Sequence, residues 1–79
     1  MARVLLFGRL ADVAGWRERM IEADSLSALR AAMARGDEVL GEALAGPGIQ
    51  AAVDKTIVRG DAALTPASEV AFLPPMSGG

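Results

Sequence analysis

The segment Glu69-Val70-Ala71-Phe72-Leu73-Pro74-Pro75-Met76-Ser77-Gly78-Gly79 changes character at its first proline. In an extended chain Val70 and Phe72 fall on one face and Ala71 and Leu73 on the other, so Glu69 to Leu73 is expected to be a strand. Pro74 and Pro75 have a fixed φ and no N–H; they cannot continue a ladder and hold the chain in a polyproline conformation. The strand should therefore end at Leu73 and give way to a tail over 74–79, which reaches roughly 20 Å at ~3.3 Å per residue. Gly78 and Gly79 carry no Cβ, so a partner's backbone and a nucleotide have room to approach the last carbonyl from either side. Glycine makes up 9 of the 79 residues, and a Gly-Gly end arises by chance in about 1% of such chains. Two readings follow: a flexible tail built for insertion, with the terminal carboxylate as its reactive group, or an incidental frayed end.

Working back from this strand, Gln50 to Val53 and Thr56 to Arg59 are β-prone runs around Asp54-Lys55, a connection of hairpin length. Gly60-Asp61 marks another turn, and Leu64 is a lone apolar residue before Thr65-Pro66. The best helix signal lies further upstream. Ser25 can cap it, Leu26, Leu29 and Met33 form one stripe, and Gly36 ends it. Asp37 can cap a second helical stretch with Val39, Leu40, Ala43 and Leu44 as its apolar stripe, closed by Gly46-Pro47-Gly48. At the N-terminus, Arg3 to Phe7 reads as a strand, and the run Val4-Leu5-Leu6-Phe7 predicts burial on both faces. Leu10, Val13 and Ala14 suit a short helix that Gly15 would stop. Arg17 to Glu22 reads as a second strand, although neither of its faces is cleanly apolar. Met20 and Met33 fit core filling better than a ligand box. The order β, β, α and then two or three strands implies an α+β fold, a mixed four- or five-stranded sheet on one main helix. One domain over 1–73 and a tail over 74–79 account for the chain.

Composition restricts the chemistry. Cys, His and Tyr are absent, which removes thiol nucleophiles, imidazole bases, disulfides and the usual transition-metal ligands. Ten carboxylates remain, without a convincing pair; Asp37, Glu38 and Glu42 cluster, but acidic residues are favoured near a helix start. The chain is poorly equipped for catalysis by itself. Seven Arg and one Lys are dispersed and the net charge is −2, so no basic stripe exists for nucleic acid. Val4–Phe7 is too short for a signal-peptide core or a membrane span, and a cytoplasmic protein is expected. A domain of this size has modest stability and gains from a partner.

The ending Val70 to Gly79, with Pro-Pro and Gly-Gly after Glu-Val-Ala-Phe, resembles the final strand and tail of the molybdopterin synthase small-subunit family, often called MoaD. The likeness continues upstream in the same order: Val4-Leu5-Leu6-Phe7, Val13-Ala14-Gly15, the Leu26 to Met33 helix, Ala51-Ala52-Val53 with its hairpin, and Leu64-Thr65. Two positions depart from the family pattern. Asp54 stands where Asn is usual, at a turn that requires positive φ, and Asp also tolerates that region. Arg9 to Val13 differs from the commoner Arg-Glu-Leu pattern.

The resemblance implies a ubiquitin-like β-grasp sulfur carrier. An activating enzyme of the ubiquitin-activating type (MoeB-like) would use ATP and Mg²⁺ to adenylate the Gly79 carboxylate. A sulfur donor would then convert it to a thiocarboxylate. The synthase large subunit (MoaE-like) would use that sulfur on cyclic pyranopterin monophosphate, in a heterotetramer of two small subunits on a large-subunit dimer. No cofactor would be bound by this chain itself. Pro74, Pro75, Met76, Ser77 and Gly78 would form the inserted tail, and Phe7, Ile57 and Leu73 would form the partner-binding surface. A thiazole-forming sulfur carrier, a ubiquitin-like modifier and a passive β-grasp interaction module remain as alternatives.

Overall fold

A computed structural model of the chain describes residues 1–75. Its elements are β1 (Ala2–Leu6), α1 (Arg9–Ala14), β2 (Glu18–Ile21), α2 (Leu26–Gly36), α3 (Glu38–Leu44), β3 (Gln50–Val53), β4 (Thr56–Val58) and β5 (Glu69–Leu73). The strands form one five-stranded sheet in the order β2-β1-β5-β3-β4. β1 and β5 run parallel at its centre, while the β1·β2, β3·β4 and β3·β5 pairs are antiparallel. The sheet is thus mixed, as expected, and has the larger of the two anticipated strand numbers.

Local chemistry sets the boundaries. Ser25 Oγ accepts from the Ala28 N–H at 3.1 Å and Asp37 Oδ1 from the Leu40 N–H at 3.1 Å, each satisfying an orphan donor at a helix start. Asp54 and Lys55 both have positive φ, 50° and 71°, the signature of a type I′ turn whose twist matches the strands it joins. Asp54 Oδ1 also accepts from the Glu69 N–H at 2.9 Å, pinning this hairpin to the start of β5.

The core lies between one face of the sheet and the helices. Val4 and Leu6 of β1, Val70 and Phe72 of β5 and Ala51 of β3 pack with Leu10, Leu26, Leu29, Met33, Leu40 and Leu44. The Arg30 guanidinium of α2 lies 5.3 Å from the Phe72 ring centroid. The segment before β5 is tied to the start of α2. Leu26 N–H donates to Ala62 O at 2.8 Å and Leu64 N–H to Asp24 O at 3.0 Å. Asp61 accepts from the Ser27 N–H, the Ser27 hydroxyl and the Ala62 N–H, bonds that favour the charged carboxylate and lower its pKa.

Three expectations need correction. Met33 fills the core but Met20 does not: it is 50% exposed, because it lies opposite Arg3 on the edge strand β2, on the side of the sheet that no helix covers. β1 is not buried on both faces: Leu5 is half-buried and Phe7 exposed, because no helix covers the second side of the sheet. Val39 does not join the stripe of α3 either; it is 65% exposed while Leu40 and Leu44 are buried. Among the described residues no helix is long and apolar enough to cross a membrane.

Candidate functional site

An uncovered sheet face and the chain leaving β5 form the candidate site. Pairing registers put Glu18, Leu5, Ala71, Ala52 and Ile57 in one row across all five strands. The alternation of strand side chains then places Phe7 and Leu73, two residues beyond Leu5 and Ala71, on the same side. The Phe7 N–H still donates to Phe72 O at 3.2 Å, so the parallel pairing outlasts β1 by one bond. Phe7 and Ile57 are each 44% exposed, and Leu73 is half-buried. Phe7, Ile57 and Leu73 therefore share one face with Leu5, Ala52 and Ala71, three residues that the sequence reading did not single out. Their signal was present as period-two spacing, with Leu5 two before Phe7, Ala71 two before Leu73, and Ala52 opposite Ile57 across a two-residue turn.

Polar groups edge this apolar row. Arg3 Nε donates to Glu18 Oε2 at 2.8 Å, and its Nη1 lies 3.7 Å from Glu69 Oε1. Met20, opposite Arg3, is half exposed. The Arg3–Glu18 pair is about half exposed, so it contributes little to stability.

Gln50 is the last partner of Leu73 in the ladder. Pro74 and Pro75 then carry the chain off the sheet, Pro74 partly buried and Pro75 exposed. Met76, Ser77, Gly78 and Gly79 lie outside the described residues. Pro74 passes Gly8, where an added Cβ would stand 2.9 Å from Pro74 Cγ; Pro75 passes Gly48, where it would stand 2.7 Å from Pro75 Cβ. In the sequence, Gly48 reads only as part of the Gly46-Pro47-Gly48 turn.

The described residues offer little catalytic equipment. They contain no group of three or more His, Cys, Asp or Glu able to hold a metal ion. A cleft of 380 Å³ lined by Met1, Glu22, Asp24, Leu64 and Pro66 sits by the start of β1, at the opposite end of the central strand pair from the tail. The arrangement is an open, partly apolar sheet face beside the point where Pro74 and Pro75 leave β5.

Comparisons with known proteins agree with this architecture. A family model described as the ThiS family matches residues 4–79. The chain is 37% identical over 81 residues to the molybdopterin synthase sulfur carrier subunit of Escherichia coli K12, covering 100% of both chains. Its fold is similar to that of the small archaeal modifier protein 1 from Methanosarcina acetivorans, with TM-score 0.85, 19% identity, and 99% and 95% of the two chains covered. The protein of that name from Haloferax volcanii gives TM-score 0.81 and 24% identity, with 99% and 98% covered. At these identities the two structures bear on the fold alone, and that fold is the ubiquitin-like β-grasp.

Proposed function

Because the chain belongs to the ThiS family, we propose that it is the sulfur carrier subunit of a molybdopterin synthase, with the Gly79 carboxylate as the group that is loaded. The observation that carries this reading is the full-length likeness to the E. coli subunit of that name. The chemistry suits a chain that has no cysteine. A carboxylate is a poor electrophile, but attack of its oxygen on the α-phosphate of ATP expels pyrophosphate and leaves an acyl adenylate. A sulfide equivalent adds to that carbonyl, AMP departs, and a thiocarboxylate remains. A thioacid ionises well below a thiol's ~8.5, so the sulfur is anionic and nucleophilic at neutral pH.

In this scheme ATP and Mg²⁺ belong to an E1-like activating enzyme, and the pocket for cyclic pyranopterin monophosphate belongs to a large subunit. The sulfur donor is a third partner. Phe7, Ile57 and Leu73, with Leu5 and Ala71 between them, supply the surface that both enzymes grip, and the segment 74–79 enters their active sites. Two carriers at the ends of a large-subunit dimer would make the working assembly.

The test is to incubate the full chain with activating enzyme, ATP and a sulfur donor, then to fragment its C-terminal peptide by high-resolution mass spectrometry. Exchange of oxygen for sulfur shifts the nominal mass as much as oxidation of one of the four methionines does, so the sulfur must be localised to Gly79. Loading at Gly79, its loss on deletion of Gly79, and consumption on adding large subunit and pterin precursor are the expected results. Absence of sulfur in the presence of a competent activating enzyme overturns the carrier reading. Loading without consumption by the large subunit points to a carrier for another acceptor, such as a thiazole precursor.

A further inference from the structure

We propose that Gly8 and Gly48 form a two-sided seat for Pro74 and Pro75, which sets the direction in which the tail leaves the domain. This rests on the reading of the tail as the reactive end. Gly8 follows β1, and Gly48 lies in the turn between α3 and β3. These segments flank the place where β5 ends, since β5 is paired with β1 on one side and β3 on the other. Gly8 has φ 58° and ψ −137°, close to a region that is essentially glycine-only. Gly48 has φ 81°. At both positions the L-Cβ would drive into a proline ring. At Gly8 it would meet Pro74 Cγ at 2.9 Å, and at Gly48 it would meet Pro75 Cβ at 2.7 Å and Cγ at 3.2 Å.

Positive φ alone does not account for this arrangement. Gly15 and Gly60 also have φ above 80°, yet an added Cβ there has nothing within 4 Å. The two glycines beside the prolines combine the backbone requirement with a close approach. Two rigid rings held by two backbone surfaces give the following residues a fixed starting direction. Docking then delivers the terminal carboxylate with less loss of orientational freedom.

The experiment compares Gly8→Ala, Gly48→Ala and the control Gly60→Ala. Partner affinity comes from calorimetry, the single-turnover rate of AMP–thiocarboxylate exchange at saturating partner from quench-flow mass spectrometry, and folding from urea melts. All three variants should be somewhat less stable. Gly60→Ala should load at the wild-type rate. Gly8→Ala and Gly48→Ala should bind within about twofold of wild type but load roughly ten- to a hundredfold more slowly, the scale of a small misplacement of reacting atoms. Replacing Pro74 by Ala in the Gly8→Ala background removes the clashing ring atom and should recover part of the rate. Wild-type loading rates in both seat variants, or a rate loss matched by an equal loss of affinity, overturns the proposal. Failure of wild type itself to load would instead defeat the carrier reading.

Discussion

Phe7→Ala is the most direct probe of the open sheet face. An aromatic side chain offers ~200 Å² of surface to bury. With Phe7 44% exposed in the free protein, ~90 Å² remains for a partner to cover. At ~25 cal/mol per Å² this is worth ~2 kcal/mol, or roughly 30-fold in Kd. The same coefficient sets ~3 kcal/mol as an upper figure for the part of the ring already buried in the domain, so the variant should be less stable than wild type, although alanine keeps two main-chain bonds of Phe7. Its N–H donates to Phe72 O, and its carbonyl accepts from Leu10 N–H, both at 3.2 Å. Calorimetric titration against the large subunit, and separately against the activating enzyme, should show Kd weakened by about ten- to fiftyfold, with a lowered urea midpoint but a single cooperative transition showing that the variant is folded where binding is measured. Val39→Ala is the matched control: Val39 is more exposed, at 65%, but sits on α3 away from the sheet face, and its loss should leave both affinities unchanged. A Phe7→Ala protein that is folded and binds both enzymes within twofold of wild type would refute the assignment of this face.

Two further expectations concern the scaffold. Lys55 holds φ 71° at the second turn position of the β3–β4 hairpin; Lys55→Gly should therefore stabilise the domain by about 0.5–1 kcal/mol, relief of left-handed strain outweighing the added chain entropy. That is a rise of roughly 2–8 °C in Tm for a domain this size, and a lower Tm would contradict the turn assignment. The Asp61 carboxyl is held below its ordinary pKa by the hydrogen bonds from Ser27 and Ala62. Its stabilising contribution is complete above the unfolded-state value and is lost as pH falls through the lower folded value. Urea midpoints should thus fall on acidification below the ordinary aspartate range, and Asp61→Asn should flatten that fall; parallel curves for the two proteins would count against this role.

The sequence exposed those features whose cause is local. Ser25 and the Leu26, Leu29, Met33 stripe specified α2, Pro74 ended β5, and Asp54-Lys55 closed a hairpin with the left-handed geometry such a turn requires. β2 was less legible because its side chains are almost all exposed. The ladder to β1 holds it, together with Arg19 stacked 4.7 Å from the Trp16 ring, and neither leaves an alternating apolar pattern. Family resemblance points to Phe7, Ile57 and Leu73; period-two spacing puts Leu5 with Phe7 and Ala71 with Leu73, but only the strand register aligns Leu5, Ala71, Ala52 and Ile57 across neighbouring strands. The closeness of Gly8 and Gly48 to the prolines depends on segments brought together by the β3·β5 pairing for Gly48 and by the parallel β1·β5 pairing for Gly8, which no local pattern encodes.

That pairing also bears on how the sheet is closed. The strands β2 and β1 form one antiparallel pair, and β3 and β4 form another; β5 alone joins them. Closing the sheet brings Arg3 against Glu69, a contact between distant parts of the chain that forms slowly because the loop between them must first be closed. Among the described residues, the last strand in chain order is therefore the one that unites the two halves of the sheet, and it leads into Pro74 and Pro75. Without β5 the two antiparallel pairs share no strand, and the row from Glu18 to Ile57 is broken at Ala71. Completion of β5 is therefore what makes one continuous surface out of two separate strand pairs, and the same strand runs directly into Pro74 and Pro75.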